Sequence, residues 1–217
     1  FCSEYDGAQD LDFILRCCEN AKNIRADELA ATPKSVSGMT RIFEPQIQRD
    51  FPDFNLVQFK NKAENMLVSA LQAIDSGNVS LIRDASEELK AQVENRIEMN
   101  RSEGIREVYE KIRIHRTEIS NYEKKQGKCI ITFQSAVEHL HYKKKDGTVV
   151  SGDENRLEQT KYNVEVMYIQ DEKMAKIDNA VGTTCPHCGF ILAYRYIRFP
   201  GHPDRYDRTG RRKAYHT

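Results

Sequence analysis

The sequence predicts an α+β domain in which helices come first and then cover one face of an antiparallel sheet. Three observations predict it: a long amphipathic helix with clear caps, a second helical run close behind it, and three later segments of alternating apolar and polar residues. Alternation of this kind indicates a sheet with one buried face. Because the helices precede the strands in the chain, we expect them packed together on that buried face.

The first helix is predicted over residues 56–75. Asn55 is a good N-cap, since its side-chain oxygen can accept a hydrogen bond from a free amide of the first turn. Gly77 can adopt the left-handed conformation that ends a helix. One wide apolar stripe is predicted to face the sheet, formed by Phe59, Ala63, Met66, Leu67, Ala70, Leu71 and Ile74.

A second helix is predicted over residues 79–100, joined to the first by the short turn Ser76-Gly77-Asn78. Such a turn indicates an antiparallel helical hairpin. The apolar face of the second helix is predicted to consist of Leu81, Ile82, Ala85, Leu89, Val93 and Ile97.

Three strands are predicted over residues 111–122, 129–142 and 160–169. A change of parity among the isoleucines of the first strand predicts a β-bulge. The third strand alternates most cleanly, with Tyr162, Val164, Val166 and Tyr168 on one side. In the second strand, Cys129, Ile131, Phe133 and Val137 share a face.

We predict three parts of the chain. Residues 1–42 form a helical segment and linker, with a short amphipathic helix near Leu11 to Cys18 docked on a protein core. Residues 43–178 form the α+β domain. A short helical piece from Met39 to Ile47, interrupted or restarted at Pro45, is predicted across the start of this domain. Residues 179–217 form a cysteine-containing segment and a basic tail.

Composition excludes several classes of protein. Lys and Arg together number 33, as do Asp and Glu, so the whole molecule has no strong net field that would attract nucleic acid or a membrane. No apolar run is long enough to span a bilayer. The uneven spacing of the 6 cysteines favours a reducing compartment over a secreted disulfide framework. The chain begins at Phe1, so a membrane anchor or signal would lie upstream of residue 1.

The sharpest local motif is Cys185-Pro186-His187-Cys188-Gly189. Two thiolates two residues apart can share one Zn²⁺, and we predict Cys185 and Cys188 as ligands of half a zinc ribbon. The remaining ligands are unassigned, with His202 and His216 as downstream candidates. A metal-free pair is the second interpretation. A redox-active pair is the third, and it is weaker because no buried strand precedes the motif.

The tail after Ala193 interleaves arginines with tyrosines, a pattern that can grip an anionic membrane surface or single-stranded nucleic acid. We favour a loosely docked tail whose charge balances an acidic body, with nucleic acid the less expected partner.

The order of these features resembles a known family. The pattern resembles the domain shared with subunit 44 of the mitochondrial inner-membrane translocase. It consists of Asp50-Phe51-Pro52-Asp53-Phe54, a long helix, Ser76-Gly77-Asn78-Val79, a second helix, and three strands separated by Gly127 and Gly152. The resemblance covers about residues 43–169. This chain lacks the Trp that many members of the family carry on a late strand, and Tyr162 is the candidate replacement for that Trp.

The resemblance implies a helix pair on a strongly curved antiparallel sheet, a cystatin-like or nuclear transport factor 2-like cone with an apolar pocket. Members are non-enzymatic and hold partner proteins at a membrane or contact lipid. Bacterial-type members often carry an upstream anchor, and some carry a zinc ribbon. The resemblance therefore implies a membrane-associated domain on the cytoplasmic, reducing side.

We accordingly predict a non-catalytic binding or adaptor domain linked to protein transport, which captures a hydrophobic peptide or a lipid. The predicted pocket is lined by Phe59, Ala63, Met66, Leu67, Phe133, Val137, Tyr162 and Val164, which are equally the expected core. Two rival hypotheses are a zinc-ribbon nucleic-acid binder and a small-molecule isomerase or dehydratase on the same cone.

An enzyme on this cone would need a buried acid or base. The candidates are His115, His139 and His141, of which the last two share a strand face. They lie near the strand end beside Lys143, Lys144 and Lys145, where we expect solvated histidines. No phosphate-binding loop, nucleophile elbow or His-Glu-x-x-His motif is present, so we predict no enzyme.

Overall fold

A computed structural model of the chain describes residues 28–83, 85–125, 128–169, 183–184 and 191–198, and in it the helices precede the strands. The helices are α1 Thr40–Asp50, α2 Leu56–Ser76 and α3 Glu87–Ser102, with a 3₁₀ turn at Val79–Leu81. The strands are β1 Ile105–Lys125, β2 Lys128–Lys145, β3 Thr148–Gly152, β4 Glu158–Ile169, β5 Thr183–Thr184 and β6 Ile191–Arg198. The predicted α+β class is confirmed.

The strands form one curved antiparallel sheet in the order β1-β2-β4-β6-β5, with β3 paired to the outer part of β2. The register between β1 and β2 shifts three times, beginning between Glu110 and Arg113. Lys111 lies at this first shift with φ of 52°. Each extra residue bends the strand and increases its twist, so the predicted bulge is one of several that curve the sheet.

Helix α2 is anchored as predicted. The Asn55 side chain accepts a hydrogen bond from the amide of Gln58 at 3.0 Å, and Gly77 ends the helix with φ of 65°. The buried side of α2 contacts the sheet and contributes Ala63, Met66, Leu67, Ala70, Leu71, Ala73 and Ile74 to the core. Helix α2 therefore forms one wall of the cone.

The second helix is shorter than predicted, because it begins at Glu87 and not at residue 79. The Asn78 side chain accepts from the amide of Ser80, which caps only the 3₁₀ turn. Ser86 starts α3 separately by accepting from the amide of Leu89 at 3.2 Å. Two capping side chains therefore split the predicted helix, while Ile82 between them is still buried in the core.

The region before α2 is described only in part. Helix α1 includes Pro45 and is longer than the predicted piece. The helix predicted near Leu11 to Cys18 lies outside the described residues, and the boundaries proposed at residues 42 and 178 stay predictions. Within the described ranges, no helix combines the length and the apolar character that crossing a membrane would require.

Candidate functional site

A cluster of buried and partly buried polar side chains occupies one end of the space between α3 and the sheet. Helix α3 and strands β1, β2 and β4 each contribute two of its side chains. Within each element, the spacing of the two residues puts both side chains on the same face. Helix α3 provides positions four apart, and β1 and β2 provide positions two apart. The members of this polar cluster are Arg96, Asn100, Glu107, Tyr109, His139, His141, Glu158 and Tyr162.

Glu107 is the centre of the polar cluster, and only 2% of the residue is exposed. Arg96 forms a bidentate pair with its carboxylate: Nε donates to Oε2 at 3.0 Å and Nη2 donates to Oε1 at 2.6 Å. Asn100 donates at 2.8 Å, the Tyr109 hydroxyl at 3.0 Å, and His141 Nε2 lies 2.9 Å away. The carboxylate is therefore saturated with donors.

The donors fix the charge of Glu107. Burial by itself would raise the pKa of this carboxyl, but the hydrogen bonds from His141 and Arg96 together with the charge of Arg96 hold its pKa far below the usual range. The same contacts outweigh the burial of Arg96 and raise the pKa of its guanidinium. At neutral pH the two side chains are an ion pair.

His141 bridges two carboxylates from different strands. Its Nε2 lies 2.9 Å from Glu107 and its Nδ1 lies 3.1 Å from Glu158. The ring is stacked on Tyr109 with a centroid distance of 4.5 Å. Burial opposes protonation, but the two hydrogen-bonded carboxylates outweigh it and raise the pKa of His141. The geometry therefore suits an imidazolium that donates from both nitrogens.

His139 behaves in the opposite way. It is fully buried, and burial lowers its pKa to about 4. Its Nε2 lies 2.9 Å from the Tyr162 hydroxyl, while its Nδ1 lies 3.7 Å from Glu158 and has no hydrogen-bond partner. His139 is therefore neutral at pH 7.

The expectation of solvated histidines was wrong for His139, which is fully buried, whereas the His141 side chain is partly exposed. Tyr109 and Tyr162, from the strands on either side of β2, pack against the His139 ring at centroid distances of 5.6 and 5.8 Å. The third candidate, His115, is 36% exposed at the side chain and lies 3.5 Å from Glu138, outside the polar cluster.

A cavity of about 390 Å³ opens beside the polar cluster, where the ends of α2 and α3 meet the start of β1. Asn100 and Glu107 line both the cavity and the cluster, whereas neither His139 nor His141 reaches the cavity. Its other walls are Ile74, Asp75, Ser76, Gly77, Ile97, Arg101, Ile105 and Arg106.

The family profile described as the Tim44-like domain matches residues 44–167, more than half of the chain. The chain belongs to the Tim44-like domain family. A comparison with curated proteins found no match. Membership confirms the predicted family and is consistent with a non-catalytic, membrane-associated adaptor in protein transport.

The residues predicted to line a ligand pocket lie together in the core of the Tim44-like domain. Ala63, Met66, Leu67, Phe133, Val137, Tyr162 and Val164 are buried, and Phe59 is partly buried against them. They make the apolar wall between α2 and the sheet, distinct from the residues that line the 390 Å³ cavity. Their role in binding a ligand stays a prediction.

The predicted zinc ligands Cys185, Cys188, His202 and His216 lie outside the residues that the structure describes. Over the described ranges of the Tim44-like domain, no group of three or more His, Cys, Asp or Glu side chains is arranged to hold a metal ion. Zinc binding by the cysteine pair stays a prediction.

Sequence reasoning identified two members of the polar cluster as candidate acid–base groups, His139 and His141, but missed its centre. The available signal was a polar pair four residues apart, Arg96 and Asn100, that borders the apolar stripe of α3. Glu107 shares strand parity with Tyr109, which indicated that this carboxylate faces inward. An inward carboxylate needs a cation, and Arg96 supplies one.

Proposed function

We propose that this Tim44-like domain is a non-catalytic adaptor that holds a partner protein at a membrane surface during protein transport. The observation that carries the proposal is the family match over residues 44–167, which runs from within α1 through most of β4. We assign it to the cytoplasmic, reducing side of the membrane, in keeping with its unevenly spaced cysteines.

The polar cluster supports a structural and not a catalytic role for the buried charges. A general acid or base must reach a reacting group. Glu107 instead accepts hydrogen bonds from Arg96, Asn100, Tyr109 and His141, with almost none of its surface exposed. Its carboxylate has no free position for a substrate.

The captured ligand in this proposal is a hydrophobic peptide or a lipid chain. It binds between α2 and the strands, against Phe59, Ala63, Met66, Leu67, Phe133, Val137, Tyr162 and Val164. Because these side chains pack against one another, α2 must move away from the sheet to admit a ligand. Phe59 is only partly buried, at the edge of the core, and is therefore the position chosen for the test below.

Thermal unfolding of the full chain tests this proposal. A ligand that binds the native state raises Tm with increasing concentration. We expect such a rise with lysophosphatidylglycerol or with an amphipathic apolar peptide, and a smaller rise in Phe59→Ala. Val57→Ala is the matched control on the same helix, since Val57 is 66% exposed. No rise with either ligand, or equal rises in both variants, would reject the cleft.

Flotation with vesicles tests the membrane part of the proposal. We expect the full chain to float with phosphatidylglycerol vesicles and not with phosphatidylcholine vesicles, in a salt-dependent manner that weakens when residues 199–217, which follow β6 in the chain, are removed. If the chain binds single-stranded nucleic acid through the tail and floats with neither vesicle, the nucleic-acid hypothesis replaces the membrane hypothesis.

We also propose that Cys185 and Cys188 bind one Zn²⁺ together with His202 or His216. Metal analysis of the full chain is expected to find zinc, and Cys185→Ser is expected to remove it. Equal zinc contents in both proteins would exclude the motif as the site.

The second candidate function is a small-molecule isomerase or dehydratase. Its potential general base is His139, a buried neutral imidazole with an unpartnered Nδ1 within the described residues. Because His139 does not line the cavity, a substrate would reach it only if the core opened. Phenols imitate enolate intermediates, so this hypothesis predicts that a phenol shifts the His139 ring signals in NMR spectra. Unchanged ring signals across a panel of phenols would dismiss it.

A further inference from the structure

The cavity of about 390 Å³ carries an inference that is independent of the adaptor function. Small-molecule sites in proteins typically occupy about 300–1,000 Å³, so this cavity is at the small end of that range. Among the described residues it combines three features: a carboxylate oxygen without a hydrogen-bond partner, two arginines without an ion pair, and an aliphatic wall.

Asp75 supplies the carboxylate. It lies in the last turn of α2, where the exposed carbonyl groups already carry partial negative charge and no basic residue compensates. Its Oδ1 atom is buried and has no hydrogen-bond partner. Burial raises the pKa of Asp75, while the positive charge of Arg106 and the amide of Tyr109 oppose that rise. This oxygen lacks a donor.

Arg106 and Arg101 supply the positive charge. Both are exposed and line the same cavity as Asp75. In the described part of the chain neither forms an ion pair. Arg106 is near enough to influence Asp75 electrostatically but does not touch it. A carboxylate and a guanidinium therefore line one opening without contact between them.

The aliphatic wall consists of Ile74 from α2, Ile97 from α3 and Ile105 from β1. Ile74 and Ile97 are almost completely buried, which makes them a fixed surface. Glu107 also lines the cavity, but its charge is compensated by Arg96 and His141. The uncompensated groups are thus one acceptor and two cations beside an apolar surface.

We propose that this cavity binds a small aliphatic α-amino acid as its zwitterion. The α-ammonium group donates to Asp75 Oδ1, the α-carboxylate pairs with Arg106 or Arg101, and the side chain packs on the isoleucines. A simple cation would compensate the charge of Asp75 but would be repelled by the two arginines. A simple anion would pair with the arginines but leave Asp75 Oδ1 without a hydrogen-bond donor. A zwitterion satisfies both charges.

Isothermal titration calorimetry of the full chain tests the proposal with L-leucine as the probe. L-Leucinamide lacks the carboxylate and N-acetyl-L-leucine lacks the ammonium, so each removes one half of the recognition. We expect saturable binding of L-leucine and at least about tenfold weaker binding of both derivatives, because each loses a charge-assisted hydrogen bond.

Two variants assign the binding to this cavity. Asp75→Asn keeps the shape of the side chain and removes its charge, and Arg106→Gln removes the facing cation. Each is expected to weaken L-leucine binding about tenfold. Asp53→Asn is the charge-matched control, since Asp53 is exposed before the start of α2, roughly 30 Å from Asp75 along a helix rising about 1.5 Å per residue.

Several results would overturn the proposal. They are no saturable binding of L-leucine at about 10 mM, equal binding of leucinamide, equal binding of N-acetyl-leucine, or unchanged affinity in Arg106→Gln. The last variant alters an exposed side chain, so it decides the matter even if Asp75→Asn fails to fold. None of these results bears on the vesicle and apolar-ligand tests of the adaptor function.

Discussion

The two halves of the interior are held together differently. Between α2 and the sheet, Leu67, Phe133 and Val164 are fully buried and join through apolar contact. Beneath α3, Glu107 and His141 join through hydrogen bonds between charged groups. Apolar contact depends on volume and has little directionality, whereas a charged hydrogen bond needs its partner at one position.

The two halves therefore tolerate different substitutions. A buried apolar side chain can be replaced by another of similar volume at small cost. Removing one member of a buried ion pair leaves the other charge without compensation, which is costly even when the shape is kept. We therefore expect the stability of the domain to be most sensitive to isosteric substitutions in the polar cluster, which change charge without changing shape.

Glu107→Gln is expected to give the largest loss of stability. It keeps the shape but leaves Arg96 and His141 facing a neutral amide in a buried site, so the free energy of unfolding should fall by about 3–5 kcal/mol. Urea denaturation measures the loss. Glu103→Gln is the control, because Glu103 is exposed and should change stability by less than about 0.5 kcal/mol. Equal effects of the two variants would contradict the central role of Glu107.

Leu67→Ala should cost nearly as much for a different reason. It opens a void in the apolar half, and truncation of a buried leucine costs about 2–5 kcal/mol. Leu67→Met keeps the volume and should cost less than about 1.5 kcal/mol. If both variants lose the same stability in denaturant titrations, side-chain volume is not what holds this half together.

The free energy of unfolding should fall at acid pH (the acid limb) because of His139 and at alkaline pH (the alkaline limb) because of His141, two residues of the same strand, β2. The folded pKa of His139 is lowered from 6.5 to about 4, so its contribution is present above pH 6.5 and is lost as pH falls from 6.5 to 4. The pKa of His141 is raised, so its contribution is present below pH 6.5 and is lost as pH rises through the folded value. Stability should therefore be greatest near neutral pH.

Histidine variants separate these limbs. His139 is surrounded by Tyr109, Tyr162, His141 and Glu158, and His139→Gln should flatten the acid limb by on the order of 2–3 kcal/mol. His141→Gln should flatten the alkaline limb. Below about pH 4.5 Glu107 adds to the loss in acid, because its folded pKa is lowered and it must be protonated on unfolding. Urea titrations from pH 4 to 9 measure both limbs, and unchanged profiles in both variants would exclude titration of these histidines as their cause.

Asn55→Ala should have the smallest effect. It removes the hydrogen bond to the Gln58 amide at the start of α2 and should cost about 1 kcal/mol. Asn55→Ser restores a capping oxygen and should recover most of that loss. Equal Tm values for the alanine and serine variants would show that the cap contributes little.

The sequence predicted best where the determining interactions are local. The cap at Asn55, the stop at Gly77 and the stripe between them involve residues within a few turns of one another, and all were confirmed. The start of the second helix was predicted less well, because Asn78 and Ser86 both act as caps and the apolar spacing continues across the break. Periodicity alone could not show that break.

The polar cluster was the least predictable feature. His139 has the same neighbours along the chain whether it is solvated or buried, and its burial depends on Tyr109 and Tyr162 from adjacent strands. The bulges in β1 also change which residues of β1 and β2 are paired beyond each shift. These long-range contacts decided the environment of both histidines.

The sequence by itself determined the fold class, the ends of α2 and the inward parity of the strands, because these follow from local hydrogen bonding and from side-chain periodicity. The family was predicted from the resemblance in the order of the motifs, and the match over residues 44–167 confirmed it. Only the tertiary structure decided that Arg96, Glu107 and His141 meet, and that Asp75 is left with an unpartnered oxygen beside a cavity. The physical reason is that charge compensation depends on distance in space, and the curvature of the sheet sets those distances.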